Sequence, residues 1–227
     1  MKKKKKGINL YVHKNVNKTI DSAFIDYVSW VNKNFHIPTK VSLYLKPEKQ
    51  LKTKKGEYVS ATFFASNKKS DAPYIKIATG DSISDSTCIS EYINSAGHEL
   101  IHYFQWIDNI DLYDVDEIHF DEEDAEQGAE EITQEYYDDV LDRIILKSKK
   151  PKLNDIYWLK RIFNYSPIHI KVEIVKVLDK YTAYQITKEF LIELSNSSYK
   201  KINNLAKHIL SKHWPVEDAT QLTLLND

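Results

Sequence analysis

Two histidines four residues apart, with a glutamate beside the first, constrain this chain more than any other stretch: His98-Glu99-Leu100-Ile101-His102. On a helix, positions four apart share a face, with Cβ atoms about 5–6 Å from each other, so both imidazoles can reach one Zn²⁺. Glu99 sits one step round. From there its carboxylate can meet a water in the same site without being a ligand, which is where a general base is needed. The surrounding residues support the helix. Ile89, Ile93, Ala96, Leu100 and Phe104 form an apolar stripe that predicts an amphipathic helix over about 85–106, capped by Asp85 or Ser86.

A catalytic zinc site takes three protein ligands and keeps one position open, so a second element has to supply what two histidines lack. The stretch from Glu122 to Leu146 is the natural source. Ala125, Ala129, Ile132, Tyr136, Val140 and Ile144 recur at helical spacing behind an N-cap at Asp121. Glu122 and Glu126 fall on that apolar stripe, whereas Glu123, Gln127, Glu130 and Gln134 fall on the solvent side. An acid on an inward stripe needs a partner, which makes Glu122 the leading third ligand. His119, in the loop before the helix, is the alternative, and Glu126 is placed to hold a ligating imidazole.

The rest of the chain bounds the setting. Hydrophobic residues make up 42% and aromatics 12%, too rich for a disordered chain, while no apolar run approaches the ~18 residues that span a bilayer. One cysteine, Cys88, excludes an internal disulfide. The basic run Lys2–Lys6 lacks the apolar segment of a secretory signal, so a cytoplasmic location is expected, with that run a solvated end. Charge is uneven: residues 108–142 carry 16 acids and no lysine or arginine, most of them a solvated helix face, though such a block could supply a ligand or favour cations or basic substrates.

A helix over 19–35 and three strands, at 41–45, 58–65 and 74–78, precede the histidine helix. Short separations make those strands mostly antiparallel neighbours. The third, read as an edge strand, offers free backbone groups to an extended peptide. Beyond a basic linker near 147–155, helical patterns at 156–163, 169–181, 182–194 and 198–213 form a second, helical region. The expected division is 1–147 and 148–227.

The motif pair His98-Glu99-x-x-His102 and Glu122-Glu123-Asp124-Ala125-Glu126 resembles the gluzincin pattern. The order of elements over about 19–146 is similar to that of small bacterial and phage ImmA/IrrE-like metallopeptidases. The resemblance implies an α+β fold with a minimal zincin core, and zinc held by His98, His102 and Glu122 with Glu99 as base. Where that family has Asp after the Ala, this chain has Glu126. The metzincin extension would need Gly at 105 and His at 108, where Gln105 and Asp108 stand; a SprT-like site would draw on His119.

The expectation is therefore a zinc metallopeptidase acting on an intracellular protein or peptide. Tyr103, His119, Tyr136, Tyr137, Arg143 and His169 are candidate oxyanion donors. Two other readings remain at this point: a regulatory protein whose C-terminal helices bind nucleic acid, since residues 143–227 carry 15 basic and 8 acidic side chains, and a binding domain with a purely structural zinc.

Overall fold

The computed structural model describes residues 6–53, 56–68, 72–80, 87–111 and 117–215. Lys2–Lys5, the capping candidates Asp85 and Ser86, part of the loop before Glu122 and the tail from 216 lie outside these. The chain divides into two compact units, Met1–Asp138 and Asp139–Asp227. Its α+β character comes from seven α-helices and a small mixed sheet among the described residues.

The first unit is built on strands β1 (Ile8–Val12), β2 (Val41–Lys46), β5 (Ala61–Phe64) and β6 (Tyr74–Ala78), ordered β1-β2-β6-β5. A two-stranded ribbon pairs β3 (Leu51–Lys52) with β4 (Tyr58–Val59). The sheet corrects the expectation of three mostly antiparallel strands. β1 pairs parallel with β2, β2 pairs parallel with β6, and β5 alone runs antiparallel, against β6. The cause is connectivity. Helix α1 (Lys18–Asn34) crosses between β1 and β2, and the ribbon with β5 intervenes between β2 and β6, so each return can be parallel. β6 is consequently interior, not the edge strand that the sequence suggested; β1 and β5 are the edges, and β5 is the one flanking β6.

The strands alternate as a half-covered sheet should. Val41, Leu43, Leu45, Ile75 and Ile77 are buried, while Tyr11 stacks on Tyr44 at 5.0 Å and Phe64 on Tyr74 at 4.4 Å on the opposite face. Asn17 caps α1 by accepting from the Thr19 N–H at 2.7 Å. Tyr27 and Trp30 of α1 meet Tyr136 edge-on at 5.3 and 5.5 Å.

Helix α2 (Thr87–Asn109) carries the histidines. Ile89, Ile93, Ala96 and Leu100 are buried as the periodicity requires, but Phe104 is half-buried and Tyr103 and Trp106 take the innermost places. Both also anchor the helix. The Tyr103 hydroxyl accepts from Thr39 N–H at 3.2 Å and donates to Thr39 O at 3.0 Å, and Trp106 Nε1 donates to Ser66 O at 2.9 Å. Helix α3 (Glu122–Ser148) buries Ala125, Ala129, Ile132, Tyr136, Val140 and Ile144, and the division between the units falls within it. Asp121 is its N-cap, accepting from Asp124 N–H at 3.0 Å.

The second unit comprises the end of α3 with α4 (Leu153–Tyr165), α5 (Ile168–Leu178), a 3₁₀ turn at Asp179–Tyr181, α6 (Gln185–Leu194) and α7 (Lys200–His213). Its core combines aliphatic residues, among them Leu159, Ile174, Leu178, Leu191, Ile202 and Ala206, with the buried aromatics Tyr165, Tyr181 and Phe190. Asp179 ties the end of α5 to the end of α7, meeting Lys212 at 2.9 Å and His213 at 2.6 Å. No described helix is long and apolar enough to cross a membrane.

Two outcomes follow from these contacts. Tyr103→Phe leaves the Thr39 backbone groups without their partner and is expected to lower stability by about 1–3 kcal/mol in urea denaturation. The Lys212 hydrogen bond, with His213 beside it, holds the Asp179 carboxyl below its ordinary range. Its stabilisation is then full above the unfolded carboxyl value of about 3.9 and fades as pH falls through the lower folded value. Thermal scans should show Asp179→Asn less stable than wild type at pH 7, by under about 1 kcal/mol for so exposed a pair, and the two should converge near pH 2.

Candidate metal centre

The site lies within the first unit, where α2 and the first turns of α3 face β5. The two helices can come this close because small residues stand at the approach. A Cβ placed on Gly97 would lie 3.3 Å from Ala129 Cα, and one on Gly128 would lie 2.7 Å from Ile101 Cδ1. Beside that approach, Thr133 Oγ1 donates to Asn94 Oδ1 at 3.2 Å. Gly97 immediately precedes His98, so the closest approach adjoins the first histidine.

His98, His102 and Glu122 are brought together, with one donor atom from each lying within 4.8 Å of the others. Glu122 Oε2 is 3.1 Å from His98 Nε2 and 3.5 Å from His102 Nε2. Two ligand atoms at about 2.0–2.1 Å from a tetrahedral Zn²⁺ are separated by roughly 3.4 Å, so these spacings suit such an ion. The protonation pattern agrees with that. His102 Nδ1 lies 2.9 Å from Gln105 Oε1, an oxygen that can only accept, so Nδ1 bears a proton, and in the neutral form of the ring Nε2 is the lone pair turned toward the Glu122 carboxylate. Two acceptors facing each other are relieved by a cation between them. Burial lowers the His98 pKa, and His102 nearby adds to this against the opposing pull of Glu122, which favours the neutral imidazole that binds metals.

Glu99 is buried, only 6% exposed, and is not part of the ligand group. Burial pushes its carboxyl up to about 8, with a further push from Glu122, while the Phe63 backbone N–H donates to it and pulls the other way. A cation held by the neighbouring ligands would favour its ionised form.

These groups open onto a cleft of about 690 Å³. One wall runs from Val59 at the end of β4 through Ser60 into the edge strand β5 as far as Phe63. The other is α3, whose Glu122, Glu126 and Glu130 line it at successive turns. Glu122 reaches the histidines although its side chain is 72% exposed. Its stripe is inward in that it runs past the core into the open cleft, and not in the sense of burial among apolar residues. Glu130, read from the sequence as a solvent position, belongs to the cleft wall.

The remaining candidates are distributed as follows. His119 is exposed and outside the ligand group; Tyr103 and Tyr136 are fully buried and Tyr137 nearly so; Arg143 and His169 belong to the second unit. Glu126 lines the cleft near His98, but the imidazole of His102 is held by Gln105 instead. Gln105 and the Phe63 N–H escaped the sequence reading. The signal for Gln105 was present, three residues beyond His102 on the same helix face; that for Phe63 was not, because it required the strand order.

Compared with protein-family profiles, with curated proteins and with solved structures, the chain finds no match.

The close helix approach gives a direct test of how the site is assembled. Gly97→Val places two further carbons against the Ala129 backbone and must spread α2 from α3. The expected result is a loss of about 1–3 kcal/mol in stability. Zinc affinity, read by competition with a chromophoric chelator, should fall at least about tenfold, as for a disturbed ligand set.

Proposed function

We propose that the chain is a zinc-dependent peptidase that cleaves an extended segment of a protein or peptide. The observation that carries this reading is the placement of a buried glutamate, Glu99, beside three converging donors, His98, His102 and Glu122, in one cleft with an edge strand. Three donors opening onto a cleft suit a metal that must also meet water and substrate. A purely structural zinc would have four protein ligands, and the group among the described residues has three.

Zinc, when bound, would polarise the scissile carbonyl and bring the pKa of water toward neutrality. The chain's own part falls first to Glu99. One of its oxygens accepts the Phe63 N–H, and the carboxylate takes a proton from the attacking water and delivers it to the leaving amine nitrogen. Its dry surroundings keep its proton affinity high enough to hold that proton between the two steps. His98 and His102 remain neutral, as ligands must.

Substrate would lie along β5. Because Phe63 N–H points away from β6, toward Glu99, the backbone groups of Ala61, two residues earlier, share that outward direction. A peptide added there as a further strand is held by main-chain bonds, with its scissile bond near the metal. Among the described residues no lysine or arginine lines the cleft, while Glu126 and Glu130 do, so segments carrying positive charge are favoured.

The test uses purified full-length protein, its metal content and a peptide-library cleavage profile. Glu99→Gln should keep zinc and lose cleavage by about 10²–10⁴-fold, the usual worth of a general base. His102→Ala should lose both. Glu122→Ala should lower zinc affinity, and unchanged zinc stoichiometry in that variant would remove Glu122 from the ligand set. Cleavage retained by Glu99→Gln would overturn the mechanism.

A further inference from the structure

Gln105 makes three side-chain hydrogen bonds that can be satisfied in only one way. Its Oε1 is 2.9 Å from His102 Nδ1, while its Nε2 is 3.0 Å from Asp121 O and 2.9 Å from Asp124 Oδ2. A backbone carbonyl and a carboxylate both accept, so the amide nitrogen must face them and the amide oxygen must face the imidazole. Reversing the amide would set its oxygen against two acceptors. The imidazole nitrogen facing Oε1 must then bear a proton, so that in the neutral ring Nε2 is bare and turned toward Glu122 Oε2.

The other end of the bridge is equally fixed. Asp124 donates its own N–H to Asp121 Oδ1, and Asp121 O accepts the first helical bond from Ala125 N–H. Asp121 and Asp124 thus form the cap of α3, and Glu122 is the first residue of that helix. Gln105 therefore touches the second histidine through one atom and the start of the glutamate helix through another. Phe120, 5.4 Å from the His102 ring, packs beside the bridge and limits tilting of the imidazole.

From this we propose that Gln105 is a positioning residue of the metal centre: it sets the tautomer of His102 and fixes the start of the Glu122 helix relative to it. The proposal rests on the reading of His98, His102 and Glu122 as metal ligands, but its first consequence exists without metal. Neutral His102 in the metal-free protein is held as the Nδ1–H tautomer, so that the ligand lone pair is in place before an ion arrives. Asp124 is the partner that keeps the amide from turning over. A glutamine whose role was only to pack would leave the tautomer free.

The experiment is a histidine-selective ¹⁵N NMR measurement on full-length, metal-free protein at alkaline pH, where imidazoles are neutral, combined with zinc competition titrations. Wild type should show His102 protonated on Nδ1. Gln105→Leu should shift His102 toward the Nε2–H form and weaken zinc binding by about 10–100-fold, the usual effect of losing a partner of a ligand. The exchanged pair Gln105→Glu with Asp124→Asn keeps an acceptor for His102 and a donor–acceptor contact with reversed roles at position 124. It should restore the tautomer and only part of the affinity, because the carboxylate at 105 has lost the donor to Asp121 O, whereas Gln105→Glu alone also sets two carboxylates together and should restore none of the affinity. An Nε2–H tautomer in wild type, or an unchanged tautomer in Gln105→Leu, overturns the proposal. Wild type with the Nδ1–H tautomer but no zinc binding would instead overturn the metal reading and leave the tautomer control standing.

Discussion

A bare imidazole nitrogen and a carboxylate oxygen face each other across 3.5 Å at the centre of the first unit, and the surrounding structure keeps them there. With its Nδ1 proton directed at Gln105, a neutral His102 has no Nε2 proton to donate to Glu122, whose Oε2 lies 3.1 Å from His98 Nε2. Such an arrangement persists only if something else holds the two helices. Close packing at Gly97 and Ala129, the Asn94–Thr133 bond and the Gln105 bridge do so on the site side. Tyr27, Trp30 and Tyr136 do so in the aromatic core beneath. Each contact is worth on the order of 1 kcal/mol, and it is their concentration around one approach that fixes the ligand geometry.

The site also separates two acids by environment. Glu99 is buried beside the strand and Glu122 is exposed, although both line one cleft. Burial raises the proton affinity of Glu99, which suits a group that must take up a proton and give it back. Exposure costs Glu122 little desolvation, so the carboxylate is available as a ligand without a second buried charge to compensate. The opposite assignment would place the ligand in the dry pocket and leave the base in water.

The parts of this arrangement that depend on one helix at a time were legible in the sequence. The period of α2 put His98 and His102 on one face, and the period of α3 set Glu122 in line with Ala125 and Ala129 behind the Asp121 cap. What escaped was set by elements that sequence spacing does not join. The parallel pairing of β1 with β2 was hidden because Ile8–Val12 follows a lysine run and its partner lies beyond α1. The edge role passed from β6 to β5 because β2 flanks β6, a long-range pairing. Glu130 was assigned to solvent because a helical wheel distinguishes core from non-core and has no third category for the wall of an open cleft. In the sequence Gln105 stands only where another pattern would have glycine, whereas its contacts with His102, Asp121 and Asp124 join α2 to the start of α3.

The single antiparallel strand gives the site its remaining constraint. Had β5 been enclosed between two strands, its alternate N–H groups would have been used in a second ladder, and the Phe63 N–H could not have reached Glu99. As an edge, β5 has outward backbone groups to distribute. One goes to the carboxylate that would move the proton, and those of Ala61 face the cleft, where an added strand would find them. The Phe63 side chain meanwhile packs inward against Tyr103, Trp106 and Phe120, so the strand is pinned to α2 from its other side. A peptide registered on this edge is therefore registered against Glu99 through one residue of rigid backbone. Under the proposed peptidase reading, alignment of a scissile bond with Glu99 would follow from the pairing of strands and require no particular substrate side chain.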